Sequence, residues 1–330
     1  MISINSAIKK IYLSLPSLTA VMLFLLLMID PAAALDGARQ GLSLCALTIV
    51  PSLFPFIVIS SLLAATGVPA KLGNLCAPLM SKLFSVSGSG AIAFVLGLSG
   101  GYPLGAAVIA DMLTSGEIDR KEAEHLLSFS NNSGPAFIIG AAGAGIFKSS
   151  KIGALLYLIH IISAILVGIL FSNHSVSHFS PPVKITKKAT PLSLALPACV
   201  KSGVTTVLMV CGFVVFFSVI TKILDSIGFF MTFAGSISEI SGAELSAVRA
   251  FLTGFFELGS GIGAMNGIPA SPASLALAAF ILGWGGLSVH LQTMSVIDGI
   301  SIFNTRYFSG KLLHGLISAV LAFSAACFLL

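Results

Sequence analysis

Charged residues are scarce in this chain. Only 9% of its 330 residues are Asp, Glu, Lys or Arg, whereas soluble domains carry about 25%. Because 56% of the residues are hydrophobic and the mean hydropathy is +1.04, a multi-pass membrane protein is predicted and an ordinary soluble domain is excluded. The net charge of +5 is spread thinly, with no basic block interleaved with aromatics, so no nucleic-acid partner is expected.

Cysteine pairs are absent as well, and no catalytic constellation stands out. The five cysteines stand singly in apolar surroundings without a CxxC pair, which predicts neither a disulfide framework nor a metal cluster. No HExxH or paired-carboxylate constellation stands out. We therefore expect no enzyme activity, no catalytic residue, no bound metal and no cofactor.

The stretch GLSGGYPLG, residues 97–105, interrupts an apolar run that is long enough to enter a bilayer. Four glycines and Pro103 within nine residues do not continue a regular helix. Unpaired backbone at membrane depth is tolerated only where other protein or a water-filled cavity satisfies it. The stretch therefore predicts a broken helix that faces a site.

Three further interruptions follow along the chain. FSNNSGPAFIIGAAGAG, residues 129–145, predicts a half-helix or re-entrant hairpin, because the apolar run after Pro135 is too short to span. GFFELGSGIG at residues 254–263 and ILGWGG at residues 281–286 break two later runs. The order of long and broken segments repeats at an offset of roughly 157 to 159 residues. We therefore predict an all-α polytopic fold of two pseudo-symmetric repeats.

The odd number of membrane crossings in each half and the positions of the basic residues favour an inverted second repeat. If each broken hairpin returns to its own side, each half crosses the membrane three times, and about seven full spans plus hairpins result. The Lys-rich linker, Arg306 and Lys311 then lie on the cytoplasmic side with Lys9 and Lys10. If the hairpins span instead, the linker moves outside.

The first apolar run and the charged helix complete this outline. A run from about Ile11 to Ile29 predicts a retained first helix, with a cleaved signal peptide as the alternative. GEIDRKEAEHLL, residues 116–127, predicts a short amphipathic surface helix with an exposed His125. His160, inside an apolar span, is interpreted as a hydrogen-bonded packing residue.

The predicted pocket collects the polar residues of the four interruptions. Glu257 is the strongest candidate, because placing an ionisable group in the membrane costs free energy unless the group faces protein or water. Its alternative role is a cap at Gly259, and Asn131 and Asn132 are equally interpretable as helix caps. The substrate-binding candidates are Ser99, Gly100, Gly101, Tyr102, Asn131, Asn132, Ser133, Glu257, Ser260, Trp284 and His290.

These motifs resemble those of a known family. PSLFPF, GLSGGYPLG, GEIDRKEAEHLL and FSNNSGPAFIIG, in this order and spacing, resemble the sporulation integral membrane protein YlbJ family. The likeness is dense over residues 41–145, and GFFELGSG and ILGWGGLSVH fit the same family more loosely. The family is grouped with nucleoside-recognition or gate-domain membrane proteins, which include nucleoside and ferrous-iron transporters. No GTPase P-loop is present, so iron transport of that kind is not implied.

The resemblance implies a bacterial multi-pass cell-membrane protein required for spore formation, with a transporter-like core. The corresponding division is an N-terminal transmembrane helix at 1–40, a first gate-like repeat at 41–171, a cytoplasmic linker at 172–200 and a second gate-like repeat at 201–330. Transport of a small polar solute or ion is the leading hypothesis. A structural or assembly component of the spore envelope and a nucleoside transporter are the alternatives. The expected partners are the lipid bilayer, a solute or ion, and a second copy of the chain.

Overall fold

The structure is a computed structural model that describes residues 17–65, 68–172, 191–300 and 302–329. Within these ranges every regular element is a helix and no strand occurs, which confirms the all-α prediction. Lys9, Lys10 and most of the predicted linker at 172–200 lie outside the described residues.

The helices are numbered in chain order. The first half contains α1 (Ser17–Ile29), α2 (Pro31–Leu44), π1 (Cys45–Ile49), α3 (Val50–Ala65), α4 (Val68–Phe84), α5 (Gly90–Gly100), α6 (Leu104–Thr114), α7 (Arg120–Ser130), π2 (Ala136–Ile146) and α8 (Ser150–Leu170). The second half contains α9 (Leu192–Ser226), α10 (Phe229–Ser241), α11 (Leu245–Phe256), α12 (Leu258–Ala264), α13 (Pro272–Trp284), α14 (Gly286–Val296) and α15 (Thr305–Leu329).

Four helical segments in the described ranges are long and apolar enough to cross a membrane. They are α8, α9, α15 and the segment Pro272–Val296, which comprises α13 and α14. A fifth results if α1 and Pro31–Ile49 count as one span, although the two are bent by 101°. The expected number of about seven full spans is not confirmed, because most other apolar helices have only 10 to 17 residues.

The bend between α1 and α2 has a local cause. Pro31 occupies the first turn of α2, and the Asp30 carboxylate accepts a hydrogen bond of 2.9 Å from the Ala33 amide. This N-cap starts a new helix at the bend. The predicted boundary at residue 40 therefore falls inside α2, and the boundary at residue 200 falls inside α9. Isolated charged residues such as Arg39 and Lys201 do not end these helices.

Each half contains a tight hairpin of two short helices. Gly97 of α5 and Gly105 of α6 face each other, since a Cβ on Gly97 would lie 3.2 Å from the Gly105 Cα. In the second half a Cβ on Gly261 would lie 2.1 Å from the Gly254 Cα. Residues seven or eight positions apart in a straight helix are about 10–12 Å apart, so the chain doubles back at both breaks.

The second interruption also produces a short helix that folds back. α7 ends before the segment 131–134, and π2 then runs for 11 residues, as expected for a half-helix. A Cβ on Gly143 of π2 would lie 2.4 Å from the Gly153 Cα of α8. The small-residue run after Pro135 thus lets π2 pack closely along α8.

The two halves present their elements in the same order. The sequence α4, α5–α6 hairpin, α7, π2 and α8 corresponds in position to α10, α11–α12 hairpin, α13, α14 and α15. The correspondence includes the paired glycines of both hairpins. In each half, the last long helix follows the last short one.

The charged helix α7 has one exposed and one buried face. Asp119 caps it by accepting a 2.8 Å hydrogen bond from the Glu122 amide, and Arg120 pairs with Glu124 at 3.2 Å, as its amphipathic pattern predicts. The prediction of an exposed His125 is wrong, because its side chain is buried beside Phe84. The helix lies over an apolar core formed with α4 to α6 and with Ile297, Ile302 and Tyr307.

Candidate functional site

The interrupted segments surround one cavity of about 70 Å³. Its wall includes Ser99 to Tyr102 from the first break, Ser133 and Gly134 from the second, and Glu257 to Gly259 from the third. Gln292 of α14 adds a polar side chain, while Val289 of α14 and Val210 and Val214 of α9 add apolar surface. Residues from both halves therefore form a single pocket.

The first break places backbone and a phenol at the pocket. Gly101 has φ +86°, and a Cβ there would lie 3.0 Å from the Gly134 amide nitrogen, so only glycine lets the two breaks meet. The Tyr102 hydroxyl donates to the carbonyls of Leu282 and Gly283 at 3.3 and 3.4 Å. The Ser99 hydroxyl donates to the Val95 carbonyl of its own helix at 2.9 Å.

Glu257 combines the two roles that the sequence left open. Its carboxylate accepts hydrogen bonds from the amides of Gly259 at 2.9 Å and Ser260 at 2.5 Å, and so caps α12. The same side chain is only 3% exposed and lines the pocket. No basic group among the described residues lies within ion-pair distance of it. The α12 amides thus supply the polar contacts that this buried carboxylate requires.

Two of the candidates on the second break lie behind the pocket wall. The Asn131 side-chain amide donates to the Thr293 hydroxyl at 2.8 Å, and that of Asn132 donates to the Phe129 carbonyl at 2.7 Å. Both side chains are buried away from the cavity. Ser133 is the member of this motif that reaches the pocket, and its amide donates to His160 Nε2 at 3.1 Å.

Ser260, Trp284 and His290 do not line the cavity either. The Ser260 hydroxyl lies 3.4 Å from that of Thr221. Trp284 stacks on Phe255 at 5.1 Å between ring centroids and donates to the Phe255 carbonyl at 3.2 Å, so it packs as a wedge. His290 Nδ1 lies 3.0 Å from the Tyr307 hydroxyl.

Comparison with known proteins places this architecture in a family. A family model described as "Nucleoside recognition" (Gate) matches residues 46–150, which contain the first hairpin and both breaks of the first half. The sporulation integral membrane protein YlbJ of Bacillus subtilis (strain 168) is 30% identical over 316 residues, covering 88% of this chain and 77% of YlbJ. The chain belongs to the YlbJ family. No solved structure shows significant similarity to it.

As a YlbJ-family member, the chain is a multi-pass bacterial membrane protein. Its described part leaves many large apolar side chains of α8, α9 and α15 exposed, as expected for contact with the lipid bilayer. The family match covers the first hairpin and the half-helix, whose residues supply more than a third of the pocket wall named above.

Sequence reasoning missed two features of this YlbJ-family site. Gln292 faces the pocket from α14 and donates to the Ser288 hydroxyl at 3.1 Å; its spacing of four residues from Ser288 was the available signal. Lys311 was assigned to the cytoplasmic surface, but it is completely buried. α15 begins at Thr305, so Lys311 lies within this helix.

Proposed function

We propose that this protein is required for spore formation and that its core moves a small polar solute or ion across the cell membrane through the pocket. The proposal takes its cellular role from the family relationship to YlbJ, whose printed name describes a sporulation integral membrane protein. It takes its transport role from the pocket. We also propose that the protein catalyses no reaction, since the Ser99 hydroxyl at the pocket donates to a backbone carbonyl and not to a basic side chain.

The observation that carries the transport proposal is the meeting of interrupted segments from both halves at one cavity. Secondary transporters bind substrates where discontinuous helices of two repeats meet near the midplane. The cap of α12, the break before π2 and the α5–α6 break all place backbone groups at the wall. Such groups replace the hydration of a polar solute that enters the membrane.

The size of the cavity supports a small occupant. A water molecule needs roughly 10–15 Å³ in such a volume, so the cavity of about 70 Å³ holds roughly five waters. A nucleoside, the alternative suggested by the gate family, requires the pocket to widen. A hydrated ion or small polar molecule fits with less rearrangement.

The repeated order of elements supports two related repeats, and we propose that the second is inverted relative to the first. Rocking of one half against the other then exposes the pocket to each side in turn. Tyr102, which lines the pocket, contacts Leu282 of the second half, and such a movement would change this contact. The competing proposal is a structural or assembly component of the spore envelope, for which the pocket has no transport role.

Substitution of Glu257 separates the two proposals. Glu257→Gln removes the negative charge but keeps an oxygen that caps α12, and Glu244→Gln is the control at an exposed carboxylate. Each is expressed in a Bacillus subtilis strain that lacks YlbJ, with the unmodified chain as positive control. Membrane protein level, spore yield and the polar metabolites of mother cell and spore are then compared.

Transport through the pocket predicts that Glu257→Gln, at a normal protein level, changes the distribution of at least one polar metabolite and lowers spore yield. Glu244→Gln should leave both unchanged. A normal metabolite distribution in the Glu257→Gln strain would show that this carboxylate takes no part in transport. If the spore yield of that strain is also normal, the assembly proposal is favoured.

A further inference from the structure

Lys311 is a buried amine with no acidic partner in the described ranges. It is 0% exposed, and no carboxylate there lies within ion-pair distance. Its Nζ donates to the Asn131 carbonyl at 2.8 Å and lies 3.4 Å from His314 Nδ1. A permanently charged amine in such a place is costly, because burial of an ion requires compensation by an opposite charge.

The neighbours of Lys311 fix which histidine nitrogens carry protons. His314 Nε2 lies 3.1 Å from the His160 carbonyl, which only accepts, so this nitrogen carries the proton. His314 Nδ1 is then an acceptor for Lys311. Because the Ser133 amide donates to His160 Nε2, that nitrogen is also unprotonated. Both rings are therefore neutral and supply no counter-charge.

The observed contacts suit both protonation states of Lys311. An amine has two N–H groups, enough for the Asn131 carbonyl and His314 Nδ1, whereas an ammonium has three. The ammonium gains one further contact, since Nζ lies 5.0 Å from the centroid of the Tyr102 ring. Gain or loss of a proton therefore breaks no hydrogen bond at Lys311. It does alter the cation–π attraction between Lys311 and Tyr102, which lines the pocket.

Six buried side-chain atoms on α7, the second break, α8, α14 and α15 have no hydrogen-bond partner among the described residues. Such atoms are uncommon unless water satisfies them, and that water would accept the proton of Lys311. The six atoms are Ser130 Oγ, Asn131 Oδ1, Asn132 Oδ1, His160 Nδ1, His290 Nε2 and Ser318 Oγ.

The elements packed against α15 carry two acids, and neither pairs with Lys311. α15 packs on α7, α8 and α13, and α13 contains no titratable residue. The groups from these and adjoining elements are Arg120, Lys121, Glu122, Glu124 and His125 of α7, Lys151, Tyr157 and His160 of α8, Tyr102 of the first break, His290 of α14, and Arg306, Tyr307 and His314 of α15. Glu122 accepts a hydrogen bond from the Ser87 amide and Glu124 pairs with Arg120, and neither carboxylate lies within ion-pair distance of Lys311.

We propose that Lys311 is a proton-binding site that exchanges one proton with water in the folded protein and is linked to the pocket through Tyr102. The step is the loss of one proton from the ammonium to water, which leaves the neutral amine in its two hydrogen bonds. The proposal deepens the proposed transport function by naming a coupling site beside the pocket. Proton exchange itself is measurable without transport.

Solid-state ¹⁵N NMR of the full chain, labelled at lysine Nζ and reconstituted in lipid bilayers, tests the exchange. Between pH 6 and pH 9 one Nζ signal should change from the ammonium to the amine position, while exposed lysines remain ammonium. Lys311→Arg or Lys311→Met should remove that signal, and Lys121→Arg should retain it. A Lys311 signal that keeps either position over this whole range overturns the proposal.

The link to the pocket is tested by two substitutions at Tyr102. Tyr102→Leu removes the aromatic face, so the midpoint of the Lys311 transition should fall by about half to one pH unit. Tyr102→Phe keeps the face and should leave the midpoint unchanged. Equal midpoints in all three proteins overturn the link. Failed transport with a titrating Lys311 contradicts only the proposed function.

Discussion

The Tyr102 hydroxyl donates a hydrogen bond to the Leu282 carbonyl at 3.3 Å, although the two residues are 180 positions apart. Tyr102 lies in the break of the first hairpin, and Leu282 lies near the end of α13 in the second half. Tyr102 forms part of the pocket wall. The pocket therefore takes its shape only when the two halves pack together.

Loss of this hydroxyl should weaken the packing of the two halves. Tyr102→Phe removes one buried hydrogen bond and keeps the ring, so we expect the free energy of unfolding to fall by about 1 kcal/mol. Denaturant unfolding of the purified protein in detergent micelles measures the change. An unaltered free energy of unfolding would show that the contact with Leu282 contributes nothing to stability.

The paired glycines of the hairpins should not tolerate alanine. A Cβ on Gly97 would lie 1.8 Å from the Ser130 carbonyl oxygen, and one on Gly261 would lie 2.1 Å from the Gly254 Cα. Backbone must move apart in either variant, so Gly97→Ala and Gly261→Ala should each lower the free energy of unfolding by at least about 1–3 kcal/mol. Thermal unfolding of the two variants provides the measurement.

Gly235→Ala is the matched control for these substitutions. Gly235 lies within α10, and no heavy atom lies within 4 Å of the position of its Cβ. Alanine should therefore be neutral or stabilise the protein by up to about 1 kcal/mol. Equal stability of Gly97→Ala and Gly235→Ala would contradict the close approach of α5 to the C-terminal end of α7.

Stability should fall in acid because His125 is buried in its neutral form. Its Nε2 lies 2.9 Å from the Phe84 carbonyl, and Arg306 donates to its Nδ1 at 3.1 Å. Burial, with the positive charge of Arg306, lowers the pKa of His125 from 6.5 to about 4. Between these two values the unfolded chain binds more protons at this residue than the folded protein does.

The contribution of His125 to the free energy of unfolding should therefore drop by roughly 3 kcal/mol between pH 7 and pH 4. Burial raises the pKa of nearby Glu122, which acts in the opposite direction, so the unmodified protein alone does not isolate the effect. The difference from His125→Gln isolates it: the variant should lose less stability over this range. Parallel pH profiles for the two proteins would contradict a neutral His125.

Local sequence predicted the breaks but not the partners on the far side of the fold. Gly101 and Pro103 predict a helix break because their backbones do not favour a continuous helix. Glu257 stands out because a carboxylate is rare in an apolar run. Lys311 and His125 were misjudged for a different reason. Each is buried by residues more than 40 positions away, Asn131 for Lys311 and Phe84 for His125, and periodicity carries no information about such contacts.

The proposed inverted relation between the halves predicts opposite membrane sides for two equivalent loops. Ser115 follows the first hairpin and Asn266 follows the second, and both are exposed. In a background whose five native cysteines are replaced by alanine, one of Ser115→Cys and Asn266→Cys should react with a membrane-impermeant maleimide in intact cells. The other should react only after lysis, because an odd number of crossings separates equivalent points of inverted repeats.

Thr186→Cys, in the predicted cytoplasmic linker, serves as the inner reference and should also require lysis. Reaction of both loop cysteines from the same side would exclude the inverted arrangement, and labelling of Thr186→Cys in intact cells would reverse the predicted orientation.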